Sequence, residues 1–203
     1  MHKCFIGITT IGIAAISALL LTGCNEKAEL ASEMEGTWVG TPTSLSDNLA
    51  GSSTIIETVS FNRDGRNATS GSIDVSASIS AAGAVSDSSQ CRKPFNITAQ
   101  AQATALGVWE VIDDDEVKVT VDPQSITVEV DTTLFNIIPQ CTEFEATDSL
   151  RNKIITDLKE RITREVVERF ASIHLLDDIK INKNLIKFEL NNSNFVMSRK
   201  QSV

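Results

Sequence analysis

The sequence predicts a mainly β domain of α+β type, an antiparallel curved sheet or barrel with one long amphipathic helix, about residues 147–173, inserted before the last strands. Three observations carry this. Apolar and polar residues alternate in several short runs, the period of a strand with one buried face. In one run, Phe95 to Val111, every residue of one parity is small or apolar. Near the end, apolar residues recur every four positions, the period of a helix that buries one stripe.

The chain opens on a single cation, Lys3, and an uncharged run from Phe5 to Leu21, followed by Thr22, Gly23 and Cys24. A basic start, a short apolar segment and small residues at the end make a secretory leader, whereas a spanning helix wants about 20 apolar residues with flanking anchors. Leu21-Thr22-Gly23-Cys24 resembles the lipobox of bacterial lipoproteins. That resemblance implies cleavage after residue 23, acylation of Cys24, and a mature chain tethered to a membrane by fatty chains. Each buried methylene is worth about 0.8 kcal/mol, and stable anchoring takes more than one chain. Asn25, in place of the Asp that retains enteric lipoproteins in the inner membrane, implies the outer membrane of the cell envelope. With residues 1–23 removed and Cys24 acylated, Cys91 and Cys141 remain. In an oxidising compartment an even remainder of two reads as one disulfide.

Residues 24–35, five of whose twelve residues are charged, are expected to form a lipidated tether, with 36–203 a single β-rich domain. In "SGSIDVSASIS" Ile73, Val75, Ala77 and Ile79 share one side; in "EVKVTV" Val117, Val119 and Val121 do; in "SITVEVDTTL" Ile126, Val128 and Val130 do. "NRDGRN" at 62–67 is a hairpin signal, and "DPQS" at 122–125 a turn in which Pro123 presets the backbone and Asp122 caps it. The Phe95–Val111 run exceeds the usual strand of about 5 to 6 residues, so a bend is expected, with Gly107 as its place. Ala99, Ala101, Ala103 and Ala105 leave room on the inner face, and interiors pack to a density near 0.74, so something bulky must fill it.

The filler is the helical segment. Leu150, Ile154, Leu158, Ile162, Val166 and Phe170 form its stripe, with Ile155, Val167 and Ile173 beside it, and Thr147 or Asp148 caps its start. Packing on the sheet is the plain reading; a membrane-surface helix or a helix docking on another protein are the alternatives. "DIKINKNLIKFELNNSNFVMSR" then gives two or three short strands turning at "NKN" and "NNSN".

Glu35-Gly36-Thr37-Trp38-Val39-Gly40 resembles the Gly-x-Trp signature that opens lipocalins and the lipocalin-like (calycin) lipoproteins of bacteria, and Gly107-Val108-Trp109 is similar to a hairpin of the bacterial members. The resemblance implies a barrel whose floor is closed by Trp38 and crossed by Arg199; Trp38, Trp109, Phe95, Ala99, Ala101 and Ala103 are expected either to line a concave apolar interior or to belong to the core. Read from the residues alone, the two tryptophans are more simply ordinary core aromatics. The Asp-x-x-Tyr pattern of lipocalins is missing, the chain has no tyrosine, and a long helix before the final strands departs from their order.

Charge and motif content narrow the function. Without Lys3 the chain carries 17 basic and 27 acidic groups; residues 24–150 have a net charge of −14 and residues 151–203 one of +4. An acidic body does not bind nucleic acid, whose affinity rests on clustered Lys and Arg. The asymmetry reads as a basic helix on an acidic sheet, or as a basic face for a partner. No H-E-x-x-H, G-x-S-x-G or phosphate loop occurs. His174, beside Asp177 and Asp178, has the ingredients of a base with an orienting acid, but reads more simply as a surface histidine at the helix end. "DDDE" at 113–116 lacks the spaced pattern of a calcium loop and reads as a hairpin tip. Glycosidase-type carboxylate pairs stay open, since acids are plentiful and their spatial separation is not readable from sequence. No cofactor, metal or catalytic residue is expected. Two readings remain: a membrane-anchored, non-enzymatic module binding a small lipophilic molecule or peptide, and a structural or protein-interaction lipoprotein with a filled core.

Overall fold

The computed structural model describes residues 26–45, 51–85, 95–138, 147–171 and 173–201. Its framework is an eight-stranded antiparallel β-barrel. Helix α1 (26–34) is followed by β1 (Gly36–Gly40), β2 (Thr43–Ser44), β3 (Gly51–Arg63), β4 (Ser70–Val85), β5 (Phe95–Val111), β6 (Val117–Val121), β7 (Thr127–Val130) and β8 (Asn136–Ile138). Helix α2 (Asp148–Phe170) leads into β9 (Ile173–Asn182), β10 (Leu185–Leu190) and β11 (Ser193–Arg199). Hydrogen-bonded neighbours run β1, β11, β10, β9, β6, β5, β4, β3 and back to β1, which closes the ring. Closure is made by β1, where Trp38 lies opposite Arg199 on one side and opposite Val59 on the other.

The alternation rule holds strand by strand. In β5 the odd positions face inward, from Phe95 through the alanines to Trp109 and Val111, while the even ones, Thr98 excepted, are exposed. The run is one strand from end to end, paired along its whole length with β4. Its glycine serves a close approach: a Cβ on Gly107 would run into the Thr120 carbonyl oxygen of β6. The other edge of β5 pairs with β6 at Gly107–Val111, with β7 at Ala101–Thr104 and with β8 at Asn96–Thr98. These three are one strand path broken twice, first by the 3-10 turn Pro123–Ser125, capped by the Asp122 side chain as expected, and then by residues 131–135. Of these three strands β9 pairs with β6 alone among the described residues, from Thr120↔Ile173 to Val117↔Leu176. Beyond that point the barrel opens into a long trough of β3, β4, β5, β7 and β8.

Helix α2 is the lid of this trough. Thr147 caps it, its Oγ1 accepting from the Leu150 amide, and it ends at Phe170, with the chain already in β9 at Ile173. Ile154, Leu158, Ile162, Val166 and Phe170 are buried and belong to one continuous core with the alanines of β5. At about 25 cal/mol per Å² of apolar surface removed from water, such a stripe is a large contribution to the fold. Two tight turns join the last strands. Asn191 and Asn192 both take positive φ (52° and 59°), the pattern of a two-residue I′ hairpin that asparagine tolerates better than most residues.

One expectation from the sequence is corrected. Residues 26–34, read as part of a polar tether, are helical, and Leu30, Ala31 and Met34 are 7%, 0% and 0% exposed. The spacing 30, 31, 34 puts three apolar side chains on one helical face, and the barrel end supplies the apolar surroundings that make a short, polar helix stable.

Candidate functional site

Two features of the barrel concentrate the chemistry: its floor and its mouth. At the floor, α1 crosses the end of the barrel. Lys27 Nζ donates to the Ile112 carbonyl at the β5 end (2.6 Å), and the C-terminus of α1 meets β1. Trp38, fully buried, donates its indole N–H to the Met34 carbonyl at 2.8 Å. The Arg199 guanidinium lies 4.2 Å from the centre of the Trp38 ring, and donates to the carbonyls of Glu33 (2.6 Å), Glu35 (2.7 Å) and Lys183 (3.2 Å). A helix C-terminus leaves its last carbonyls without intrahelical partners, and a cation there also favours the helix dipole. Arg63 adds two hydrogen bonds, from Nε and Nη2, to the same Glu35 oxygen, Oε2. Arg199 thus lies over the buried floor tryptophan, Trp38.

Trp109 also lies toward this end. Its ring meets Phe61 edge-on, 5.5 Å between centroids, and its N–H is shared between the carbonyls of Ser72 and Asn62. Phe95, Ala99, Ala101, Ala103 and Trp109 occupy one face of β5, all between 0% and 3% exposed, as part of the common core. Cys24, Cys91 and Cys141 lie outside the described residues.

At the mouth, charge enters the interior. Glu57 sits on β3 at an inward position, between Ile55 and Val59, and binds Arg169 of α2 through both carboxylate oxygens, at 2.6 and 3.0 Å. Arg169 also donates to Thr43 Oγ1 of β2 at 3.2 Å. The hydrogen bonds that Glu57 accepts raise the guanidinium's already high pKa, against desolvation. His174, expected on the surface at the helix end, is instead the second residue of β9, half-buried in this cluster, because the chain has turned into a strand before reaching it. Desolvation pushes its pKa down, opposed by hydrogen bonds to the backbone of Phe170 and Arg169 and by the Glu57 charge. Its charged neighbours are Glu57 and Arg169.

Asp177 and Asp178 belong elsewhere. They gather with the 113–116 hairpin tip at the floor end, where burial and the facing Asp114 and Asp177 carboxylates raise the pKa of Asp115. Among the described residues, no three His, Cys, Asp or Glu side chains are grouped to hold a metal ion, and no helix is long and apolar enough to cross a membrane. The mouth cluster was not singled out from the sequence. Its signal was there: Glu57 is the one charge in the inward row Ile55, Glu57, Val59, Phe61.

The fold and these sites define a class: a closed antiparallel β-barrel with a helical floor and a helical lid. No protein-family model matches the chain, and a search of the curated proteins finds no match.

Proposed function

We propose that this chain is a lipid-anchored, non-enzymatic protein of the bacterial cell envelope, held in the outer membrane by acylated Cys24, whose lipocalin-like barrel is filled by its own helix and which works through its outer surface. The leader and lipobox at residues 1–24 support the anchor. The filled interior rests on one observation: Ala99, Ala101, Ala103 and Ala105 are at most 3% exposed beneath an α2 stripe whose Ile162 and Val166 are fully buried. A lipophilic ligand of ordinary size needs a pocket of several hundred Å³, and this apolar surface is already used.

A second reading has its own observation. Glu57, Arg169, Thr43 and His174 form a partly exposed polar group at the mouth, with Arg169 and Glu57 side chains 30% and 24% exposed. A small ligand with a polar head could bind there, provided α2 moves.

Purification from membranes followed by mass spectrometry of the amino-terminal peptide tests the anchor: a diacylglyceryl mass on Cys24 supports it, and an intact segment 1–23 overturns it. Native mass spectrometry of the same preparation tests the filling. A protein mass with no retained small molecule supports the first reading; a stoichiometric lipid or peptide supports the second.

A further inference from the structure

A lipoprotein with a flexible leash can roam over its membrane; the structure assigns this one a fixed stance. We infer that α1 is a rigid collar that seats the plugged end of the barrel against the lipid bilayer, with the trough and its lid pointing away. The inference rests on the lipid-anchor reading above and names the surface that the anchor presents to the membrane.

The argument starts from chain length. Glu26, the first described residue of α1, is two residues after Cys24. Even fully extended, two residues span about 7 Å. Nothing further along the chain provides slack, because α1 is fixed at both ends. Lys27 holds its start to Ile112, while Leu30, Ala31 and Met34 fill the barrel end. Arg199, Trp38 and Arg63 hold the backbone or side chains of Glu33, Met34 and Glu35. At 1.5 Å per residue, α1 spans about 13 Å, enough to cross the floor between the β5–β6 end and β1. A leash would have exposed, unpaired residues here; these are docked.

The strands then set the stance. β4 and β5 pair from Ser70↔Glu110 at the floor to Val85↔Phe95 at the far end, on the order of 50 Å of extended chain. Charge does not supply the attachment. The floor end carries Asp113, Asp114, Asp115 and Glu116 with Asp177 and Asp178, which anionic headgroups repel, so the basic side chains Arg63, Lys183, Arg199 and Lys200 do not make a net basic face there. Seating therefore depends on the short link to α1.

The chain contains its own reporters. Its two tryptophans, Trp38 and Trp109, both lie toward the floor, paired in register with Arg199 and Gly71. The acylated full-length mature protein is placed in phosphatidylethanolamine–phosphatidylglycerol vesicles containing a dansyl-headgroup lipid, and energy transfer from tryptophan is measured. A second protein carries a flexible Gly/Ser insertion of about 20 residues between Asn25 and Glu26, long enough to separate floor and lipid by tens of ångströms. Strong transfer in the first, falling at least twofold in the second, is expected. Weak and equal transfer in both, with Cys24 acylated, overturns the stance while leaving the anchor intact. Strong and equal transfer also overturns it, because the barrel then holds the membrane without its collar. Mass spectrometry on the same samples separates these results from failure of the anchor itself, which shows as unmodified Cys24 and removes the inference with it.

Discussion

Replacing Ile162 by alanine tests whether α2 fills the trough. The side chain is fully buried in the middle of the α2 stripe, between Leu158 and Val166. Ile to Ala removes three carbons. At about 0.8 kcal/mol per methylene the transfer loss is roughly 2.4 kcal/mol. The cavity left behind adds to this, and measured changes of this kind lie at about 2–5 kcal/mol, so a loss near 3 kcal/mol is expected. For a chain of this size each kcal/mol shifts Tm by about 2–4 °C, giving a fall of roughly 6–12 °C. Urea unfolding followed by circular dichroism gives the free energy directly, and Val108→Ala, at a position 60% exposed on the outside of β5, is the control and changes little. The converse substitution, Ala101→Leu, forces extra carbons into the same layer and is expected to cost about 1–3 kcal/mol. A loss below about 1 kcal/mol for Ile162→Ala, or a gain for Ala101→Leu, would mean that the space over the alanines is open. The filled-core reading would then give way to ligand binding.

Three further outcomes follow from the same geometry. Arg199→Lys keeps the charge but loses the planar fork over Trp38 and two of the carbonyl contacts; about 2 kcal/mol of stability is expected to go, with faster amide exchange in 26–34 as the specific sign. His174 has a folded pKa below its unfolded value, so the native state binds fewer protons, and its stabilisation is present above about pH 6.5 and lost as pH falls through the lowered folded pKa. Urea midpoints measured from pH 7.5 to 5 should decline, and His174→Gln should flatten that slope. For Cys91 and Cys141, the β5–β8 ladder brings Asn96 opposite Ile138, five and three residues from the two cysteines. Alkylation without reductant should leave both unmodified, and reduction should lower stability by roughly 4 kcal/mol on the loop-closure model.

Much of the fold was legible because its signals are local. Alternation at 73–79 and 117–121 needs only neighbouring residues to read, and so does the four-residue recurrence from Leu150 to Phe170. What could not be read depends on residues far apart in sequence. Barrel closure turns on β1 finding partners on both sides, and a five-residue strand carries no mark of that. α1 was missed because Leu30, Ala31 and Met34 are too few to outweigh the surrounding charges, and only the barrel end makes the helix pay for its ordering. The ion pair of Glu57 with Arg169 joins positions 112 apart, and the sequence marks only one half of it, a lone acid in an apolar row. The strand position of His174 is not legible because the switch from helix to strand takes only the few residues between Phe170 and Ile173, less than one helical turn.

Where β9 leaves the path of β6, no strand among the described residues pairs with the second flank of β7 and β8. Such a flank is where a second molecule adds itself as another strand and starts an aggregate. Here α2 runs beside β7, and Arg151 in its first turn donates to the carbonyls of Thr132 and Phe135. The helix thus works as a selvedge as well as a filling, finishing the weave on this side so that crowded copies do not stitch together.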